Sequence, residues 1–530
     1  LILALFGDIS IAHFIGPGAT LDTYYSAFRI PDLIFISVAS LASITVIIPF
    51  LVARTDGEQV TDKARKYLSD IFTVFFLFMI FVASLAFLFM PYFVSFITPG
   101  FSLEYQREVV ILSRIMLLSP ILMGLSNLFG TVTQLYHKFF IYSLSPILYN
   151  VGIIMGVIFL YPFFGVYGLS LGVVFGALMH FGVQAWSANS LGFTPRFSFS
   201  INFLEIKQAV LTSLPRTLGL AFNNIALICI IAFASYFKSG SISVFNFAFN
   251  LQSVPLNIIG ISYAVAAFPT LAKAFGGGKK DEFVSHLKEA ARAIVFWSLP
   301  VVFLFIVLRA QIVRVILGSA TFSWENTRLV AACLAIFALS VMAQGMITLL
   351  SRAYYATGNT KRPLFVNLFS SVLIIFLAYL FINLFQNVDF FRYFIESMLK
   401  VGDIEGTEVL MLPLAYSVGT IINFILHWIF IKKDFMPNES FITKTFFQSL
   451  GASFTLGLVA YLFLNILEPI FGTMTFWGVF LQGFLAGILG ILSAIIVLYV
   501  LKNDQIREVV EALRSKFWKA KIIAPSQEVL

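Results

Sequence analysis

Residues 18–54 read GATLDTYYSAFRIPDLIFISVASLASITVIIPFLVAR, and residues 240–274 read GSISVFNFAFNLQSVPLNIIGISYAVAAFPTLAKA. Both stretches open on a glycine, reach an Ala-Phe pair and close on Pro-x-Leu near a basic residue. Phe28 pairs with Phe249 and Pro49 with Pro269, at offsets of 221 and 220. A further echo follows: Ser145-Pro146-Ile147-Leu148-Tyr149-Asn150 answers Arg362-Pro363-Leu364-Phe365-Val366-Asn367, at an offset of 217. Echoes at nearly one offset mark a duplicated architecture. In a membrane chain, duplication of this kind places a site at the interface of the repeats.

The composition is that of an integral membrane protein. Hydrophobic residues make up 59% of the 530 positions, charged residues only 11%, and the mean hydropathy is +0.94. Apolar runs of about 20 residues, enough to cross a hydrocarbon core of about 30 Å, recur along the whole chain. The two cysteines, Cys229 and Cys333, sit inside such runs and read as unpaired buried thiols, which leaves no disulfide framework. His-Glu-x-x-His and Cys-x-x-Cys spacings are absent, and Gly276-Gly277-Gly278-Lys279 lacks the spacing of a phosphate loop. With no visible nucleophile, base and acid set, the residues argue against an enzyme or an ATPase. Leu1 already lies in an apolar run without a basic n-region, so the first span reads as shortened rather than as a signal peptide.

The expected fold is all-α, with fourteen spans near 1–16, 24–51, 71–97, 109–136, 140–162, 166–189, 209–236, 242–272, 290–310, 327–356, 364–386, 409–431, 445–468 and 475–501. Turn signals separate them, among them Gly16-Pro17-Gly18 and Thr98-Pro99-Gly100. Residues 387–408 read as a loop, and 502–530 as a basic amphipathic tail suited to anionic lipid. An offset near 220 covers six spans, and an even number keeps both copies in one orientation. The expected domains are therefore an N-lobe at 1–200, a C-lobe at 201–440, an unrepeated pair of spans at 441–501 and the tail at 502–530. Lysine and arginine number twenty on one set of alternate loops and five on the other, which puts both termini in the cytoplasm. The net charge of +8 is then a topology signal, not a nucleic-acid footprint.

Charges and amides inside spans are costly and tend to face a cavity or a partner. The first two spans hold Asp8, Asp22, Arg29 and Asp32. Asp22 and Arg29 lie two helical turns apart on one face, and Arg29 and Asp32 are spaced to pair. Span 7 carries Asn223 and Asn224, and span 8 carries Asn246 and Asn250. Arg29 and Asn250 are equivalent in the internal alignment, so both repeat partners put polar groups beside the Ala-Phe pair. The candidate cavity set is Asp8, Asp22, Arg29, Asn223, Asn224, Asn246, Asn250 and Arg352, with Arg114, Gln134 and Gln344 as further inward candidates. The bland readings are a helix-end salt bridge for Asp22 and Arg29, and helix-to-helix glue for the amides. Asn150 and Asn367 read as braces. Prolines such as Pro31, Pro146, Pro255 and Pro363 are expected to bend their helices.

These motifs resemble the MurJ/MviN lipid II flippases of the multidrug/oligosaccharidyl-lipid/polysaccharide exporter superfamily. The resemblance rests on Phe14-Ile15-Gly16 through Asp22 to Ala27-Phe28-Arg29-Ile30-Pro31, on Thr98-Pro99-Gly100-Phe101, on Ser145-Pro146 with Asn150, on Ser239-Gly240-Ser241, and on Arg352-Ala353-Tyr354-Tyr355-Ala356 with Asn359-Thr360 and Pro363. It implies a transporter in the bacterial inner membrane. The cargo would be an undecaprenyl-pyrophosphate-linked disaccharide-pentapeptide, moved from inner to outer leaflet for cell-wall synthesis. The resemblance further implies alternating access driven by membrane potential or an ion gradient, no bound cofactor, and a polyprenyl-tail groove at the last two spans. Its partners would be the glycan lipid, membrane lipids and other wall-synthesis proteins, and no nucleic acid.

The chain departs from the family where the family carries cavity cations. Gly7 stands before the kept Asp8, Phe35 and Ile36 stand for paired arginines, Ser40-Leu41 for an acidic-glycine element and Asn250 for an arginine. The family's first arginine falls at or before Leu1. Arg29, Arg114, Arg216 and Arg352 are the cations left to compensate. The departures keep other readings open: a flippase for another polyprenyl-linked oligosaccharide, a cation-coupled small-molecule antiporter, or a membrane scaffold.

Overall fold

A computed structural model describes residues 2–38, 51, 61–194, 196–201, 203–436, 443–472, 475–509 and 511. Several expectations lie outside these residues: the second half of span 2 with Ser40, Leu41 and Pro49, the basic tail past 511, and, for its side chain, Arg216.

The described chain is helical. It opens with α1 (Ile2–Phe14), α2 (Ala19–Ala27) and α3 (Arg29–Val38). Twelve further helices are long and apolar enough to cross a membrane, and they match expected spans 3 to 14 in order. The first of these are α4 (Asp62–Ile97), α5 (Leu103–Leu135), α6 (Phe139–Phe164) and α7 (Val166–Ser190). Next come α8 (Phe203–Ala234), α9 (Ser241–Gly276) and α10 (Lys280–Val307), then the short α11 (Arg309–Leu317). The remainder are α12 (Trp324–Ala356), α13 (Lys361–Asn387), α14 (Asp389–Leu399), α15 (Met411–Phe435), α16 (Thr443–Phe471) and α17 (Phe476–Val500).

In its described part span 2 is two helices rather than one, and Pro31 supplies the reason. Proline has no N–H to return to the carbonyl four residues back, here Ala27. That carbonyl instead accepts from Ser113 Oγ on α5 at 3.0 Å. The break after Ala27 puts Arg29 at the head of a new helix. A second proline acts differently. After Pro255, α9 passes through a stretch of wider turns at Leu256–Ile261 and then resumes as α-helix.

Residues 387–408 are not simply a loop. They contain α14, whose first turn is tied by Asp389 and Arg392 at 3.0 Å. Its buried face carries Ile395, Glu396 and Leu399, and Glu396 accepts from Thr407 Oγ1 at 2.7 Å. The segment after it is pinned by Arg328, which reaches both carboxylate oxygens of Asp403 at 2.6 Å and the carbonyl of Lys400, and by Lys238 on Glu405 at 2.8 Å.

Contacts group the chain into two compact units. One comprises Leu1–Val254, Val313–Ser340 and Thr357–Ile429; the other comprises Pro255–Ile312, Val341–Ala356 and Phe430–Leu530. In the first unit, α6 and α7 pack at backbone distance. Gly152 and Gly156 face Gly172 and Gly176, and a Cβ on Gly152 would fall on the backbone of Gly176. Small residues of this kind let membrane helices approach until dispersion contacts are made along the main chain. In the second unit, α16 and α17 pack together and on α10, with Phe303 over Gly457 and Leu308 over Gly487. Phe296, Ala452, Leu456, Ala494 and Leu498 form the core of that packing. The outer faces of α16 and α17 stay apolar, with Phe454, Leu458, Leu462, Ile466, Ile491 and Ile495 exposed.

Candidate functional site

The break in span 2 builds a cavity of about 400 Å³ inside the first unit. Gly7 and Asp8 of α1 form one side. Tyr24, Tyr25 and Phe28 come from the end of α2, and Arg29 and Asp32 from the first turn of α3. Asn150 of α6, Asn224 of α8, and Asn246 and Asn250 of α9 complete the polar wall.

Two amides on α9 organise its charges. Asn246 Nδ2 donates to its own helix at Ile242 O (2.7 Å), which leaves Oδ1 to accept from Arg29 Nη2 at 2.5 Å. One turn on, Asn250 Nδ2 donates to Asp8 Oδ1 at 3.1 Å. Residues four apart on a helix stand about 6 Å apart on one face. The arginine and the aspartate are therefore held on neighbouring turns of a single helix. Arg29 Nε and the Tyr25 hydroxyl are buried and have no hydrogen-bond partner.

Asp22 does something else. It is 3% exposed and lies outside the cavity wall. Its carboxylate accepts from the N–H of Gly240 (2.6 Å), the N–H of Ser243 (2.8 Å) and the Ser243 hydroxyl (2.5 Å). The first N–H groups of a helix have no partner within it and favour negative charge. Asp22 thus caps α9 from across the repeat. The backbone must approach closely for this to happen: Gly240 has φ +96°, and its missing Cβ would sit 3.5 Å from Gly18 N. Gly18 and Gly240, the glycines that open the two echoing stretches, meet at this end.

Of the sequence candidates, Asp8, Arg29, Asn224, Asn246 and Asn250 meet around one cavity. Asn223 is exposed and does not line it, and Arg352 belongs to the second unit. Arg114 is spent elsewhere: its Nε donates to Phe87 O at 3.1 Å and its guanidinium lies 4.5 Å over the Phe87 ring. Arg29 and Asp32, spaced to pair, interact by charge across the same space, while Arg29 Nη2 bonds Asn246. Asn367 is a brace, accepting from Asn423 Nδ2 at 3.1 Å, whereas its echo Asn150 bonds back to Pro146 O (2.7 Å) and also lines the cavity.

Sequence reasoning left Asp32, Tyr25 and Gly7 out of the candidate set. Asp32 was legible from its three-residue spacing to Arg29. Tyr25 sits in an aromatic pair that reads as core, and Gly7 marks room that only coordinates reveal: a Cβ there would meet nothing within 4 Å. Among the described residues no group of three or more His, Cys, Asp or Glu is placed to hold a metal ion.

The profile of the family described as "Lipid II flippase MurJ" matches residues 11–481. A relative from Rhizobium tropici named "Probable lipid II flippase MurJ" is 25% identical over 364 residues, covering 67% of this chain and 68% of its own. The solved structure titled "Lipid II flippase MurJ, inward closed conformation" superposes with a TM-score of 0.74 at 21% identity, covering 96% of this chain and 97% of that one. A multidrug resistance MATE family transporter of the MOP superfamily, in its inward-facing conformation, superposes with a TM-score of 0.64 at 14% identity, over 83% of this chain and 96% of that one. At these identities the two structures speak to the fold.

Proposed function

Because this chain belongs to the MurJ lipid II flippase family, we propose that it moves lipid II, the polyprenyl-linked peptidoglycan precursor, from the inner to the outer leaflet by alternating access. It is a multi-pass membrane transporter and not an enzyme. The observation that carries the reading is the polar cavity beside the span 2 break, with the Asp22 cap tying α2 to the start of α9. A polar chamber walled by both repeats, with a hydrogen-bonded tie between them that can be made and broken, is what a carrier needs in order to expose a site to one side at a time.

In this reading the lobes are 1–200 and 201–440, rocking about the cavity, with Asp8, Arg29, Asn246 and Asn250 meeting the headgroup. The exposed apolar faces of α16 and α17 support a role in guiding the polyprenyl tail. The lysine and arginine bias supports an orientation with both termini in the cytoplasm, which puts the Asp22 cap on the outer side. Membrane potential or an ion gradient would supply the drive, and wall-synthesis proteins the upstream and downstream partners.

The test is reconstitution. In proteoliposomes carrying fluorescent lipid II, the protein should make inner-leaflet lipid accessible to a membrane-impermeant quencher, and an imposed potential should change the rate. Vesicles with well-folded protein that leave the protected fraction unchanged would overturn the reading. A second reading, another polyprenyl-linked oligosaccharide, is favoured by one observation: among the described residues that line this cavity, Arg29 is the only arginine. The same vesicles loaded with a lipid-linked glycan lacking the pentapeptide separate the two.

A further inference from the structure

We infer that the cavity is a dipolar site, with an anion subsite at Arg29 and a separate cation subsite formed by Asp8, Asp32 and Tyr25, so that it takes an anionic headgroup together with an ammonium or alkali cation. The inference rests on the functional reading above and deepens it.

Charge comes first. Among the described residues two carboxyls and one guanidinium line the cavity, so with both carboxyls ionised the charge they carry is net negative. A headgroup carrying only phosphate would meet more repulsion than attraction there. A low-dielectric chamber magnifies that mismatch, because buried charges are costly unless paired.

Geometry comes second. Asn246 holds Arg29 and Asn250 holds Asp8, so the guanidinium and this carboxylate are each bonded to an amide, one turn apart on α9, instead of to each other. An ion pair would cancel the two charges. Two amide spacers keep both available, each with capacity left over. Arg29 retains a buried Nε with no partner, suited to phosphate oxygen. On the other side, Asn250 satisfies one oxygen of Asp8 and leaves the rest of the carboxylate open.

The third observation is Tyr25. Its side chain lines the cavity and is 8% exposed, yet its hydroxyl has no hydrogen-bond partner. A buried hydroxyl is ordinarily satisfied. Its oxygen can accept from an ammonium or ligate an alkali cation beside the carboxylates. The cation has two possible sources: a primary amine on the peptide of the headgroup, or a free monovalent ion that enters with it.

The test is a binding measurement on the full-length protein in lipid nanodiscs. The probes are the pyrophosphate-linked disaccharide-pentapeptide with lysine as its diamino acid, and the same lipid with that lysine Nε-acetylated. If the amine is the source, acetylation weakens binding about tenfold, the scale of one hydrogen bond to a charged group. Asp8→Asn and Asp32→Asn then each shrink the ratio between the two lipids to below about twofold. If a free ion is the source, the two lipids bind equally, but affinity for both rises with sodium or potassium at constant ionic strength and that rise is lost in Asp8→Asn. Equal binding with no dependence on either cation overturns the inference and leaves the functional reading standing. Failure of both lipids to bind overturns the functional reading and the inference with it. Both substitutions preserve side-chain size, and thermal unfolding of each variant checks that it is folded.

Discussion

Asp22 Oδ1 accepts from both the backbone N–H (2.8 Å) and the hydroxyl (2.5 Å) of Ser243, a residue 221 positions further along. That separation is also the offset of the internal repeat, so equivalent positions of the two copies touch each other. A hydrogen bond to a charged group is worth about 1.5–3 kcal/mol, and Asp22 makes three of them between the two echoing stretches.

Removing the carboxylate should open this end. For Asp22→Ala we expect at least a tenfold loss in the population of the closed state, read as faster thiol labelling of a cysteine placed at Tyr25. Ser243→Ala keeps the backbone bond and removes only the hydroxyl, so its effect should be clearly smaller. Equal labelling in both variants would mean that the closure does not depend on Asp22.

Gly7 is the place to restore a cation. A side chain there enters open space, since a Cβ meets nothing within 4 Å. Gly7→Arg should therefore fold and should bind a pyrophosphate-linked lipid about tenfold more tightly, the effect of one added charge-assisted contact. Isothermal binding of the two proteins to the same lipid decides it. Unchanged affinity would show that the headgroup phosphates lie away from α1.

Gly152 behaves in the opposite way. Because a Cβ there falls on the backbone of Gly176, α6 and α7 must move apart to admit it. Gly152→Leu should cost about 1–3 kcal/mol or more, the usual scale of overpacking, seen as a lower melting temperature in detergent. Gly7→Leu, whose side chain enters the free space of the cavity, should melt close to the parent.

The segment after α14 should be sensitive to acid. Arg328 holds the Asp403 carboxyl below its ordinary value through two hydrogen bonds. A carboxyl depressed in the folded state stabilises the fold above its unfolded pKa, about 3.9. That contribution is lost as pH falls through the lower folded value. A spin label at Gly402 should therefore gain mobility below about pH 4, and Arg328→Gln should show the gained mobility already at neutral pH. A label equally immobile at low pH would assign the anchoring to other contacts.

The span 2 break illustrates what could be read in advance. Pro31 announces that the helix cannot continue undisturbed, since a missing N–H is a property of the residue itself. Ser113 as the group that satisfies the freed Ala27 carbonyl was not legible, because it lies 86 positions away and only packing brings it there. The amides divide in the same way. Asn246, Asn250 and Asn224 share a cavity, while Asn223, next in the chain to Asn224, points away, because a helix turns successive side chains through about 100°.

Sequence alone determined the membrane class, the order of spans 3 to 14 and the family, because hydropathy and local motifs are properties of the chain before it folds. Tertiary structure decided the roles of the polar residues. Asp22 and Asp8 are chemically identical and fifteen residues of helix and turn span them inclusively, yet one caps a helix from the opposite copy and the other faces the cavity. What separates them is which backbone lies opposite. At Asp22 it is the unpaired N–H groups that begin α9; at Asp8 it is the side chain of Asn250, about two and a half turns along from that helix start.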